Sequence, residues 1–186
     1  KDRREFLFYF LVGFLISLPV FIYTISNPDI GWHIASGRYI VENLTVPKFD
    51  FMSWTKSGIQ WIDTEWLTQL IYYSVYSMGG YKALYILKLL NIFLMGFSFS
   101  LLIKSFRVSC FNIIWLLPAF FFSVLNILDL RPDNYSVILF ILLFILLNRI
   151  TDNDFLSSKT LIEIAVMFIL WANVHPGYTY GLIMIA

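Results

Sequence analysis

Apolar positions gather into six blocks, separated by polar or helix-breaking segments. They cover residues 6–26, 81–103 (interrupted by Lys88), 111–128, 134–149, 161–175 (with Glu163 near its start) and 178–186, where the last block is still incomplete. An uncharged apolar run of roughly 20 residues is what a helix needs to cross a hydrocarbon layer. The pattern therefore predicts an all-α, polytopic integral membrane protein built as one transmembrane domain. The first block follows Lys1-Asp2-Arg3-Arg4-Glu5 and leads into Asn27-Pro28-Asp29, not into a small-residue cleavage site, so it reads as a retained helix. The unfinished last block makes the chain read as the amino-terminal part of a longer protein.

Between the first two spans lies a polar and aromatic stretch, 27–65, too long for a turn between packed helices. Two helices are expected there. Asn27 suits an N-cap, Pro28 the first helical position and Asp29 the positive end of the dipole. That helix would run to about Glu42 and end across Asn43 to Pro47, with Asp29, His33, Ser36, Gly37 and Ile40 on one face. The second would begin near Asp63-Thr64, occupy about 64–78 and stop at Gly79-Gly80. Its Trp66, Tyr72, Tyr73 and Tyr76 suit a helix lying in the membrane interface.

Cationic residues orient the chain. Lys1, Arg3 and Arg4, then Lys104 and Arg107, then Arg149 and Lys159 all fall at the same ends of successive spans. The positive-inside rule makes that side cytoplasmic, and an inner membrane of a bacterial cell is the expected location. The opposite, outer face receives 27–65, the turn Asp129-Leu130-Arg131-Pro132-Asp133 and the turn Asn173-Val174-His175-Pro176-Gly177. Composition agrees: 59% of residues are apolar, 13% are charged and 19% aromatic, and the mean hydropathy is +0.76. The net charge of +1 says nothing about nucleic acid, but no basic run is long enough to track phosphates, so no nucleic-acid partner is expected. The single cysteine, Cys110, excludes an internal disulfide or a cysteine zinc cluster.

Both histidines and most of the carboxylates fall on the outer face. Asp29 and His33, four apart, suit a hydrogen-bonded pair, a shared metal, or a base and its orienting partner, with a capping acid and an interfacial histidine as the alternative. Glu65 stands at a helix start, where a carboxylate also complements the dipole; Asp63 suits the cap, and Asp50 a solvated loop position. Arg131 can grip a phosphate in a bidentate fork, or clamp Asp129 or Asp133. Lys88 lies roughly two helical turns into its span; an intramembrane cation is a functional hypothesis, with an interior ion pair as the alternative. Asn173 and His175 end the fifth span, where Pro176-Gly177 breaks the helix and frees carbonyls. Asn43-Leu44-Thr45 and Asn134-Tyr135-Ser136 match the glycosylation sequon.

With those residues placed, the chain resembles a group of polytopic membrane proteins related to the GT-C glycosyltransferases. The resemblance rests on Asp29-Ile30-Gly31-Trp32-His33-Ile34-Ala35-Ser36-Gly37-Arg38, Pro47-Lys48-Phe49-Asp50-Phe51-Met52-Ser53-Trp54-Thr55, Gly58-Ile59-Gln60-Trp61-Ile62-Asp63-Thr64-Glu65-Trp66-Leu67, Gly79-Gly80, Leu130-Arg131-Pro132 and Trp171-Ala172-Asn173-Val174-His175-Pro176-Gly177. It implies a first outer loop with two surface helices and a catalytic carboxylate, for which Asp29 is in position. It further implies transfer of a sugar from a polyprenyl-phosphate donor to an acceptor on the outer face, with inversion. Asp29 would take the acceptor proton, with His33 and Glu65 in the catalytic group. Arg131, Lys88 or a divalent cation (Mg or Mn) would hold the departing lipid phosphate; His175, Asn173, Trp32 and Trp61 would line the substrate site, and Trp54 could also stack on a sugar. No Asp-x-Asp pair occurs in the first loop. The competing class is a non-catalytic subunit or scaffold packed beside other membrane subunits and lipids.

Overall fold

A computed structural model of the chain describes residues 7, 8, 10, 11, 14, 15, 24–108, 110–124, 128–151 and 157–186. Most of the expected first span, and Lys1, Arg3 and Arg4, lie outside the described residues. Every regular element described is a helix: α1 (Ile30–Asn43), α2 (Trp66–Ser105), α3 (Cys110–Val124), α4 (Asp133–Thr151), α5 (Ser158–Val174) and α6 (Tyr178–Ile185). The one β feature among the described residues is an isolated bridge between Phe49 and Gln60. Two helical stretches, Trp66–Ser105 and Asp133–Ile150, are long and apolar enough to cross a membrane.

After the first expected span, the helices described begin and end within a few residues of the expected boundaries, with one correction. α1 begins at Ile30, not at Pro28. Asn27 still organises the entry: its side-chain oxygen accepts from the Asp29 amide at 3.0 Å, and its amide nitrogen donates to the Leu130 carbonyl at 2.9 Å. Asn27 thus ties the start of α1 to the turn before α4, a long-range bond that local capping rules do not anticipate. The expected interfacial helix and second span follow one another without a loop in α2, but Gly79 (φ −164°, ψ 22°) and Gly80 (φ 60°, ψ −148°) leave the helical region. The positive φ at Gly80 is open to glycine at little cost, so the axis breaks at the expected place.

α1 packs against the first half of α2, and the contact depends on Gly37. A Cβ there would collide with the Gln69 carbonyl oxygen and lie 2.7 Å from the Tyr73 Cβ. The face buried by that packing is Ile30, His33, Ser36, Gly37 and Ile40, the stripe expected from residues three and four apart. Buried Tyr72, Leu84 and Leu130 close the core around Ile30, while Leu143, Trp171 and Val174 form a second core between α4 and α5. Asn148 donates to the Ser105 hydroxyl at 3.2 Å, and Phe106 stacks on Phe144 at 5.4 Å. The ends of α2 and α4 carrying Lys104, Arg107 and Arg149 are therefore neighbours. At the opposite ends the 27–65 stretch, the 129–133 turn and the 173–177 turn meet.

Candidate functional site: a carboxylate and histidine cluster at the loop end of the bundle

Four elements supply the cluster. The start of α1 carries Asp29 and His33, the residue before α2 is Glu65, the α4 entry brings Arg131, Asp133 and Ser136, and the turn after α5 brings His175. Glu65 lies between the two histidines: Oε2 is 3.9 Å from His33 Nδ1 and Oε1 is 3.6 Å from His175 Nε2. Both separations exceed hydrogen-bond reach, so each is an electrostatic approach and neither oxygen is satisfied by it. His33 is 2% exposed, and its Nδ1 has no hydrogen-bond partner among the described residues. Burial lowers the His33 pKa to about 4, with Arg131 acting in the same direction and Asp29 and Asp133 opposing. The ring is consequently neutral at pH 7 and forms no true salt bridge with Glu65. Burial raises the Glu65 pKa; Asp133, Asp63 and Asp29 add to this, and His175 opposes it.

His175 is held much more tightly. Nε2 is 2.7 Å from Asp133 Oδ1, and Arg131 Nε is 3.2 Å from Asp133 Oδ2. On the other side of the ring, Nδ1 accepts from the Gly177 amide at 3.0 Å and lies 2.7 Å from Ser136 Oγ. Ser136 Oγ accepts from Trp171 Nε1 at 2.8 Å, and because Nδ1 already accepts from the Gly177 amide, the Ser136 hydroxyl is the donor to His175. An Nδ1 that accepts in this way leaves the ring proton on Nε2, pointing at Asp133. A side chain at 177 is excluded, because a Cβ would strike Ser136 Oγ and come 2.9 Å from His175 Nδ1.

The surroundings hold the carboxylates in place. Asp63 Oδ1 accepts from the Glu65 amide at 3.1 Å and from Gln69 Nε2 at 2.9 Å; burial raises the Asp63 pKa against those two bonds. Trp66 Nε1 donates to Asn173 Oδ1 at 2.7 Å, and Thr68 donates to the Val174 carbonyl at 2.7 Å. These two bonds pin the start of α2 to the end of α5, which brings Glu65 against His175. Among the described residues the Asp29 side chain makes no capping hydrogen bond and takes part in no ion pair, yet its charge is felt at both His33 and Glu65.

Of the residues singled out from sequence, Asp29, His33, Glu65, Arg131 and His175 come together, and Asn173 supports them through Trp66. Trp32 covers His33, with ring centroids 3.8 Å apart, and Trp61 meets Trp32 edge-on at 6.2 Å. Lys88 takes the interior alternative: it is 1% exposed, 3.4 Å from Asp129 Oδ1, and donates to the Thr24 carbonyl at 3.0 Å. Burial pushes the Asp129 pKa up, but hydrogen bonds from Leu130 and Ser26 and the Lys88 charge outweigh it and bring it below the usual range. Asp50 is a loop staple, accepting from the Met52 and Ser53 amides at 2.9 Å each. Asn134 is fully buried and donates to the Asp129 carbonyl, which removes the second sequon as a surface acceptor. No group of three or more His, Cys, Asp or Glu among the described residues is arranged to hold a metal ion. The sequence reading missed Ser136 and the role of Asp133; their spacing of three from the first turn of α4, one helix face, was the available signal.

Asp133, Ser136 and His175 also line a cavity of about 780 Å³ whose other walls are apolar, among them Phe99, Phe120, Phe140 and Tyr180. An ionisable cluster thus borders a largely apolar hollow. Compared with family models, curated proteins and solved structures, the chain matches none.

Proposed function

We propose that this chain forms part of a polytopic, GT-C-like membrane glycosyltransferase, transferring a sugar from a polyprenyl-phosphate donor to an acceptor hydroxyl at the outer face. The observation that carries the reading is the unsatisfied centre of the cluster. Among the described residues, the Asp29 and Glu65 carboxylates and His33 Nδ1 accept or donate no side-chain hydrogen bond. Buried or half-buried polar groups left open in this way suit a hydroxyl that arrives with substrate. The neighbouring apolar cavity, with Asp133 and His175 in its wall, suits a lipid-linked donor. The cationic residues at the opposite helix ends support an inner-membrane location with the amino terminus cytoplasmic.

In this reading Asp29 takes the acceptor proton as the acceptor oxygen bonds to the anomeric carbon, and the bond to the lipid phosphate breaks with its electrons leaving on phosphate. Glu65 positions the acceptor between the histidines. Arg131, whose Nε is on Asp133 while the rest of its guanidinium is partly exposed, meets the leaving phosphate charge. Proton transfer of this kind contributes about 10²–10⁴-fold. Membranes containing Asp29→Asn should therefore transfer radiolabelled sugar from polyprenyl-phosphate donors at least about 100-fold more slowly, with unchanged membrane insertion. Undiminished transfer would remove Asp29 from the reaction and leave the non-catalytic subunit as the better account.

A further inference from the structure

A second hollow lies outside the cluster, in the loop that precedes α2. It measures about 510 Å³ and is lined by Trp32, Met52, Lys56, Ile59, Gln60 and Trp61, with Asp50 and Ser53 at its base. The walls form part of a row of aromatic rings: Tyr39 to Phe51 at 4.6 Å, Phe51 to Trp61 at 6.4 Å, Trp61 to Trp32 at 6.2 Å, and Trp32 to His33 at 3.8 Å. The row begins on the outer part of α1 and ends on a residue of the carboxylate cluster.

The loop is built to stay in one shape. The Asp50 amide donates to Ile59 at 2.8 Å, Gly58 donates back to Asp50 at 2.7 Å, and Trp61 donates to Lys48 at 2.9 Å. Asp50 also gathers the Met52 and Ser53 amides and the Ser53 hydroxyl. Gly58 sits at φ 80°, a conformation that favours glycine. Two side chains at the hollow are left over. The Lys56 ammonium and the Gln60 side-chain amide enter no hydrogen bond or ion pair among the described residues. Together they offer donors and an acceptor beside apolar ring faces, the pairing of surfaces that a pyranose presents: hydroxyls around the edge, C–H groups on the face.

We propose that this row is an oligosaccharide track, seating the sugars of an acceptor glycan on Trp61 and Trp32, with Lys56 and Gln60 bonding hydroxyls and the terminal sugar delivered to the Asp29–His33–Glu65 centre. The inference deepens the transferase reading and rests on it for the fate of the bound sugar; the binding itself does not. A preformed site spends little free energy on ordering the loop, so weak but selective retention is the expectation.

The test uses the whole chain in phosphatidylcholine nanodiscs on an array of immobilised hexose and N-acetylhexosamine oligomers of two to six units. At least one oligomer class should be retained more strongly than its monosaccharide. Trp61→Ala should reduce that retention at least tenfold, and Gln60→Ala severalfold, whereas Met78→Ala, at a side chain 83% exposed on α2 and outside the row, should leave it unchanged. No retained oligomer, or retention indifferent to Trp61, overturns the track. A second measurement stands without any glycan: brominated acyl chains should quench Trp115, exposed on apolar α3, and spare the emission lost in Trp61→Phe. Quenching of Trp61 to the same degree would mean the row faces lipid, and the proposal fails. Retention by Asp29→Asn without transfer upholds both readings; retention alongside undiminished transfer by that variant keeps the track and discards the proposed catalytic centre.

Discussion

Asp129→Ala and Lys88→Met remove opposite halves of one interior ion pair, and the structure makes their costs unequal. Lys88 is 1% exposed, and its ammonium sits 3.4 Å from Asp129. Taking away the carboxylate leaves the buried ammonium on the Thr24 carbonyl but without its counter-charge, which costs about 3–5 kcal/mol. Taking away the ammonium leaves Asp129 still accepting from the Ser26 amide at 2.7 Å, the Ser26 hydroxyl at 2.8 Å and the Leu130 amide at 2.7 Å. With its charge still solvated by three donors, the loss should be nearer about 1–2 kcal/mol. The double variant Lys88→Met with Asp129→Ala carries no buried charge and should recover most of the deficit of Asp129→Ala. In thermal unfolding of the chain in nanodiscs, Asp129→Ala should lower the midpoint by on the order of 10 °C, at least twice the drop for Lys88→Met. Equal drops, or a double variant whose loss is the sum of the single ones, would refute the argument that the two charges are coupled across the bundle.

Two further outcomes follow from the packing and the buried histidine. Gly37→Ala should destabilise the α1–α2 contact by about 1–3 kcal/mol, since the new methyl meets backbone at Gln69, which cannot rotate away; an unchanged unfolding midpoint would mean the helices do not touch there. His33 is neutral in the fold, its pKa lowered by burial to about 4 from 6.5, so the unfolded chain binds a proton first as pH falls. Its contribution is complete above pH 6.5 and is lost as pH drops to 4, about 3 kcal/mol in all. Glu65 and Asp63, with raised values, act in the opposite sense, so the measurement is the difference in pH-dependent stability between the native chain and His33→Gln. A difference flat from pH 7 to pH 4 would show that His33 takes up its proton equally in the folded and unfolded chain, and would refute the lowered pKa.

Much of this arrangement was legible without coordinates because it is written in local pattern. Runs of apolar residues set the helices, Gly79-Gly80 marked the break in α2, and spacing of three and four put His33, Ser36, Gly37 and Ile40 on the buried face of α1. Backbone hydrogen bonding and the burial of one helical stripe depend on neighbours within a turn or two, so periodicity alone carries them. The gathering of Asp29, His33, Glu65, Arg131 and His175 at one end followed from counting crossings, which needs only the number of helices and their order.

Which of those groups touch was decided by packing. Asp133, not Asp29, holds His175; Ser136 and Trp171 choose its proton; Asp129 claims Lys88; and Asn27, expected to act as a local cap, reaches the Leu130 carbonyl. Each partner lies in a different helix or turn from the group it satisfies. Their meeting depends on helix rotation and on close approaches at Gly37 and Gly177, where tenths of an ångström separate contact from collision. Linear sequence specifies which residues arrive at that end of the bundle; only three-dimensional packing sets their distances, and proton affinity and pairing depend on distance.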